Sequence, residues 1–206
     1  MSPSHALLRI ELRDYWHCGS GLGRGQMLDA VCVRDAHGLP YVPGRTVKGL
    51  LRHALTAVSA YRQSDPDLVE KLFGTDGFAQ GVSRSDTQAG RLRVSSANLP
   101  EEIAGKFRAL GTDAERREHA APLFGTLRMT AIDGTTDAAK DKTLRAIEVA
   151  VPLVLHARIG AATGAPRDWF ERLQTAAPLI RAVGAHKSRG LGRASCTLHP
   201  ETRGGA

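Results

Sequence analysis

The sequence predicts an α+β chain of the ferredoxin-like (RRM-like) class, a β-α-β-β-α-β core with an early hairpin insertion and a second, longer one. Three observations predict it. Residues 6–13 alternate, Leu8, Ile10 and Leu12 against Arg9, Glu11 and Arg13, the period of a half-buried strand. Val47, Leu50, Leu51, Ala54, Leu55 and Val58 recur at helical spacing, and Trp169, Phe170, Leu173, Ala177 and Ile180 do so again late in the chain. Strand patterns stand between and after these two helices, an order that an antiparallel sheet with both helices on one face satisfies.

The elements follow in order. After the first strand, residues 17–26 break into a glycine-rich loop. Residues 27–34 read as a strand, Asp35–Gly38 as a turn, and 39–42 as the returning partner. Pro43-Gly44 ends that hairpin, and Thr46 is placed to cap a helix over about 46–60. Residues 62–89 read as irregular and polar around Leu72-Phe73-Gly74, and Gly90–Ser96 as a short strand. The stretch 100–143, with the run Asp113-Ala-Glu-Arg-Arg-Glu118, reads as a mobile insertion. Leu144–Ile159 reads as one long strand, in which Pro152 marks an edge or a bulge. The second helix opens at Pro166-Arg-Asp168, and Pro178 kinks it or splits off a last turn. Ala194, Cys196 and Leu198 form the last strand. The expected organisation is a single domain over 1–206, with insertions at about 14–43 and 100–143 and a disordered tail from about 200.

Composition narrows the partners. The 206 residues carry a net charge of +7 and 42% hydrophobic residues, enough for a core and basic enough to favour an acidic partner. Aromatics are 5%, which disfavours a surface built mainly on base stacking. Cys18, Cys32 and Cys196 form no framework, so a reducing cytoplasm is expected. His17, Cys18 and Cys32 suggest a partial zinc site with no evident fourth ligand. No run approaches 18 apolar residues, so no membrane association is expected.

Gly184-Ala-His-Lys-Ser-Arg-Gly-Leu-Gly-Arg193 holds three glycines, four potential cations, one hydroxyl and no carboxylate. Backbone amides beside Gly184, Gly190 and Gly192 can approach an anion. Lys187, Arg189 and Arg193 supply charge-assisted donors to phosphate, with Ser188 as a neutral donor. His186 either stacks on a base or faces solvent. The spacing is not that of a nucleotide P-loop. Lys48, in the first turn of the first expected helix, opposes the helix dipole unless an anion sits between it and the free amides. Arg52 lies one turn further along. Gly44 and Gly49 allow close approach, or Gly49 simply packs on the sheet. Gly19–Gly25 with Arg24 is a second flexible basic loop.

Tyr41-Val-Pro-Gly-Arg-Thr-Val-Lys-Gly49 followed by Leu-Leu-Arg52 resembles a hallmark of the RAMP superfamily of CRISPR-associated proteins, in which Pro-Gly is followed by Lys-Gly at the start of the first helix. The loop 184–193 resembles that family's glycine-rich loop before the last strand. Leu72-Phe73-Gly74, the strand from Gly90-Arg-Leu and Leu144-Arg-Ala-Ile-Glu148 are similar too, in the same order. Within the superfamily the chain looks most like the repeated backbone subunit of type III effector complexes.

That resemblance implies guide (CRISPR) RNA, complementary target RNA, further copies of the chain and other effector subunits as partners. It implies RNA contacts at Arg24, Gly44, Arg45, Thr46, Lys48, Gly49, Arg52, His186, Lys187, Ser188, Arg189, Gly190, Gly192 and Arg193. It implies a thumb-like hairpin within 110–143 that separates guide from target, bringing Arg128 and the wedge candidate Met129. It also implies that Asp29 cleaves target RNA with Mg²⁺ or a similar divalent cation, the phosphate and 2′-hydroxyl completing the metal site. Three alternatives stay open. The chain could be a non-catalytic capping subunit. It could be a stand-alone repeat-RNA processing ribonuclease using His5, His17 or His53. It could be an unrelated RNA-binding module, although such a module would carry aromatic residues on its central strands.

Overall fold

Strand β1, His5–Leu12, buries Ala6, Leu8, Ile10 and Leu12 and turns the intervening residues outward. The computed structural model describes residues 3–23, 28–62, 67–75, 87–139 and 143–201. In it, β1 is the centre of a four-stranded antiparallel sheet. Its neighbours are β5, Val154–Ala161, and β6, Ala194–Pro200, with Ile10 facing Leu155 on one side and Cys196 on the other. Strand β2, Leu92–Val94, pairs with the far side of β5. The order β2-β5-β1-β6 is the ferredoxin-like arrangement that the element pattern requires.

Helices α1, Gly44–Arg62, and α5, Trp169–Ala176, pack together on one face of this sheet. Val47, Leu51, Ala54 and Leu55 of α1 and Trp169, Phe170, Leu173 and Ala176 of α5 are buried there. The periodicity that predicts these helices is the packing surface itself. A 3-10 turn over Ala177–Leu179 ends α5, the split-off last turn expected at Pro178.

Five details correct the sequence reading. Thr46 does not cap α1. The helix begins at Gly44, and the Thr46 and Val47 amides donate to the Pro43 carbonyl at 2.8 and 3.0 Å. Within 62–89, a short helix α2, Asp67–Phe73, buries Leu68, Leu72 and Phe73. The stretch 100–143 is not one loop. It holds α3, Glu101–Arg108, α4, Asp113–Ala120, and strand β3, Phe124–Met129. The described part of the expected hairpin, residues 28–42, makes isolated bridges, Gly19 to Cys32 and Arg34 to Pro40, rather than a regular hairpin.

The fifth correction concerns the long strand, which is two. Strand β4, Arg145–Ala150, pairs with β3 in a separate two-stranded sheet. The chain then crosses Val151-Pro152-Leu153 into β5. Proline has no N–H for a ladder, so the change of sheet falls where pairing is already broken. Trp16 ties the two sheets together. It is fully buried, exchanges backbone hydrogen bonds with Ala150, and donates its indole N–H to the Val151 carbonyl at 2.8 Å. No helix among the described residues is long and apolar enough to cross a membrane.

Candidate nucleic-acid interface

The glycine-rich loop is shaped by contacts within the chain. Gly184 has φ +91° and Gly192 has φ +72°. A Cβ on Gly184 would sit 2.3 Å from the His17 carbonyl oxygen, and one on Gly192 2.0 Å from that of Val183. Both glycines are therefore required by close backbone approach. The Ala185 amide donates to His17 O at 2.8 Å and the Gly192 amide to Tyr15 O at 2.7 Å. Between these two anchors, Lys187–Arg189 form one exposed 3-10 turn. Gly190 faces open space. Arg193 instead pairs with Asp14, Nε to Oδ2 at 3.0 Å and Nη2 to Oδ1 at 3.3 Å.

The anchored loop looks into a cleft of about 810 Å³, walled on its other sides by β3, β4 and the segment around Asp29. Asp29, Met129, Arg145, His186 and Arg189 all line it. Residues from four separate parts of the sequence thus converge on one concave surface. Leu127 and Met129 pack against Ile147, Val149 and Leu191 in a small hydrophobic cluster of their own. Met129 therefore forms part of an apolar wall of the cleft. Arg128, the intervening residue of β3, points to the opposite face of the hairpin and is exposed.

Asp29 is exposed at the cleft and fixed by two bonds to β4. Its amide donates to Ala146 O at 2.8 Å, and its Oδ2 accepts from the Ala146 amide at 2.7 Å. That leaves Oδ1 for an incoming group. The segment after Asp29 is held by Glu148, which is buried on β4. Glu148 Oε2 accepts from the Cys32 amide at 2.9 Å, and Oε1 accepts from Arg34 Nη2 at 2.7 Å. The Arg34 guanidinium also lies 3.5 Å from the centre of the Phe124 ring, a cation–π contact. Sequence reasoning quoted Arg145 and Glu148 only within a family-like motif and assigned no role to them or to Arg34. The available signal was a lone carboxylate inside the apolar run 147–151, which needs a buried partner.

Of the three candidate zinc ligands, His17 Nδ1 and Cys32 Sγ come within 3.6 Å of each other, but they do not make a metal site. His17 is buried with Nδ1 2.6 Å from the Glu148 carbonyl oxygen. Burial pushes the Cys18 thiol up to about 11 and the Cys32 thiol up to about 12, so neither offers a thiolate. Among the described residues no group of three or more His, Cys, Asp or Glu side chains could hold a metal.

The α1 residues form a second surface. Gly44 starts the helix at the end of edge strand β2, whereas the glycine loop enters the opposite edge strand, β6. The Gly44 amide donates to Ser96 Oγ at 3.2 Å. With Thr46 and Val47 bonded to Pro43, most of the helix-start amides are already engaged. Arg45 is exposed, and Thr46, Lys48 and Arg52 are half-buried. A Cβ on Gly49 would meet nothing within 4 Å, so close packing on the sheet does not explain that glycine. Arg24 lies outside the described residues.

These features define an α+β protein with a ferredoxin-like core, an attached β-hairpin and a basic, glycine-anchored cleft. The RAMP superfamily profile matches residues 9–195, and the chain belongs to that superfamily. Among solved structures, it is similar to a chain of a type III-B Cmr-beta complex bound to cognate target RNA, with a TM-score of 0.65, 11% identity, and 94% of this chain and 96% of that one covered. A chain of the apo type III-B Cmr-beta complex gives 0.64 and 13% over the same shares. No curated protein sequence matches.

Proposed function

We propose that this protein is a guide-RNA-binding backbone subunit of a type III or related CRISPR effector complex in antiviral defence, and that it cleaves target RNA at Asp29. The observation that carries the reading is the cleft itself, in which a carboxylate, two arginines and a histidine meet beside the β3–β4 hairpin. Superfamily membership and likeness to chains of type III-B complexes support it. Phosphate contacts from Lys187, Ser188, Arg189, Lys48 and Arg52 bind RNA of any sequence, which suits a subunit that must accept every guide. Copies of the chain would bind along one guide.

The donor set suits a divalent cation that arrives with RNA. A magnesium-type ion keeps several waters and uses one or two carboxylates plus phosphate oxygens. Asp29 Oδ1 is the protein oxygen free to hold it. When bound, such an ion neutralises phosphate charge and activates the attacking oxygen. Arg145 and Arg189 line the same cleft; in this reading they bind the phosphate and stabilise charge that builds on it.

The test is cleavage by the assembled complex. Complementary labelled RNA is offered with Mg²⁺ or with EDTA, to wild type and to Asp29→Ala. Regularly spaced, metal-dependent cuts lost in the variant are expected. The Oδ2 bond to Ala146 favours one second reading, a scaffold in which Asp29 only anchors the segment to β4. Identical products from both proteins, or none from either, would establish that reading instead.

A further inference from the structure

We propose that His186 is the proton donor to the leaving oxygen in this cleft, an inference that rests on the cleavage reading above. His186 has φ +57° and ψ +29°. With Asp137, it is one of two non-glycine residues at positive φ among those described. That backbone is unfavourable for an L-residue, and glycine would adopt it freely. Non-glycine residues in sparsely populated backbone conformations cluster at functional sites.

The surroundings fix the backbone of this residue and leave its ring nitrogens free. The His186 carbonyl accepts from the Arg189 and Leu191 amides at 2.9 and 3.3 Å, which locks the turn. Its ring packs against the ring of His17 at 6.3 Å, tilted by 53°. His17 is itself fixed by the Glu148 carbonyl. No hydrogen bond joins either His186 ring nitrogen to a described residue. An oriented imidazole with open ring nitrogens therefore faces the cleft that Asp29 also lines. Imidazole is the side chain that best exchanges protons near neutrality.

The step balances as a transesterification. The 2′-oxygen of the target nucleotide bonds to the adjacent phosphorus and gives its proton to water. The bond from phosphorus to O5′ breaks, and its electron pair leaves with O5′. A ring N–H of the His186 imidazolium supplies the proton to that oxygen. The products are a 2′,3′-cyclic phosphate and a 5′-hydroxyl, and the neutral imidazole regains a proton from solvent. Arg145 and Arg189 stabilise charge on the non-bridging oxygens.

The experiment uses the assembled complex and two target RNAs, one ordinary and one with sulfur replacing the bridging 5′-oxygen at the cleavage position. A thiolate leaves without a proton, so it bypasses a general acid. His186→Gln is expected to slow the ordinary cut by about 10²–10⁴-fold and to cut the sulfur-bridged RNA at the wild-type rate. His186→Gly, which suits the left-handed backbone, guards against misfolding and should behave the same way. Equal slowing on both RNAs would make His186 a binding or stacking residue and overturn the proposal. Unchanged cutting of ordinary RNA would also overturn it. Failure of the wild-type complex to cut ordinary RNA would overturn the cleavage reading and this inference together.

Discussion

Breaking the Arg34–Glu148 pair should loosen the whole wall that carries Asp29. The Glu148 side chain is 8% exposed and that of Arg34 32%. Arg34→Met leaves a buried carboxylate with the Cys32 amide as its remaining partner and removes the stack on Phe124. Removing one member of a fully buried pair costs about 3–5 kcal/mol. Water reaching the partly exposed Arg34 site lowers that to about 2–3 kcal/mol. For a chain of this size that is a fall in Tm of about 4–12 °C, read by thermal unfolding of the purified protein. Arg34→Met combined with Glu148→Met should be less destabilised than Arg34→Met alone, because no unpaired charge remains buried. Additive single effects, or an Arg34→Met protein within about 0.5 kcal/mol of wild type, would refute the reasoning.

Three further outcomes are expected. Arg189→Ala should weaken guide-RNA binding without changing sequence preference and reduce the salt slope by about 1; binding titrations at several salt concentrations check this, and an unchanged slope would remove Arg189 from the phosphate track. Gly192→Ala should destabilise the loop by at least about 1–2 kcal/mol from its left-handed backbone alone, with the Val183 contact adding to that, and limited proteolysis between 184 and 193 should accelerate. The buried thiols of Cys18 and Cys32, raised to about 11 and about 12, favour the folded state while they stay protonated; that contribution is complete below about pH 9, the ordinary thiol value, and is lost as pH rises through 11–12. Native protein at pH 8 should therefore resist iodoacetamide at both residues and react at both in urea, whereas rapid native labelling would show the sites to be open.

The two core helices were legible because their apolar spacing is the packing surface. Helix α4 was not, because Asp113–Ala120 buries one alanine and otherwise presents charge. Its signal was local instead: Thr112 and Glu115 form a capping box, with the Glu115 amide donating to Thr112 Oγ1 at 3.2 Å. Strands β4 and β5 read as one because alternation continues through Val151, and Pro152 alone marked the break. The individual site residues Asp29, His186 and Arg189 were singled out from motifs. Their convergence was not legible, because it depends on the Ala146 bond to Asp29 and on the tie from Glu148 to Arg34, contacts between residues more than a hundred positions apart. The glycines of the loop were read as ligand-facing. Gly184 and Gly192 are instead spent on backbone packing, and the exposed turn between them carries the side chains that face outward.

The measurement that bears most directly on the central claim is native mass spectrometry of the chain purified with its neighbouring gene products and a guide RNA. Several copies of the chain on each guide RNA, falling away together when Arg189 and Lys48 are replaced by alanine, are predicted for a backbone subunit. A single copy per complex, or a chain that assembles equally well without RNA, would contradict it.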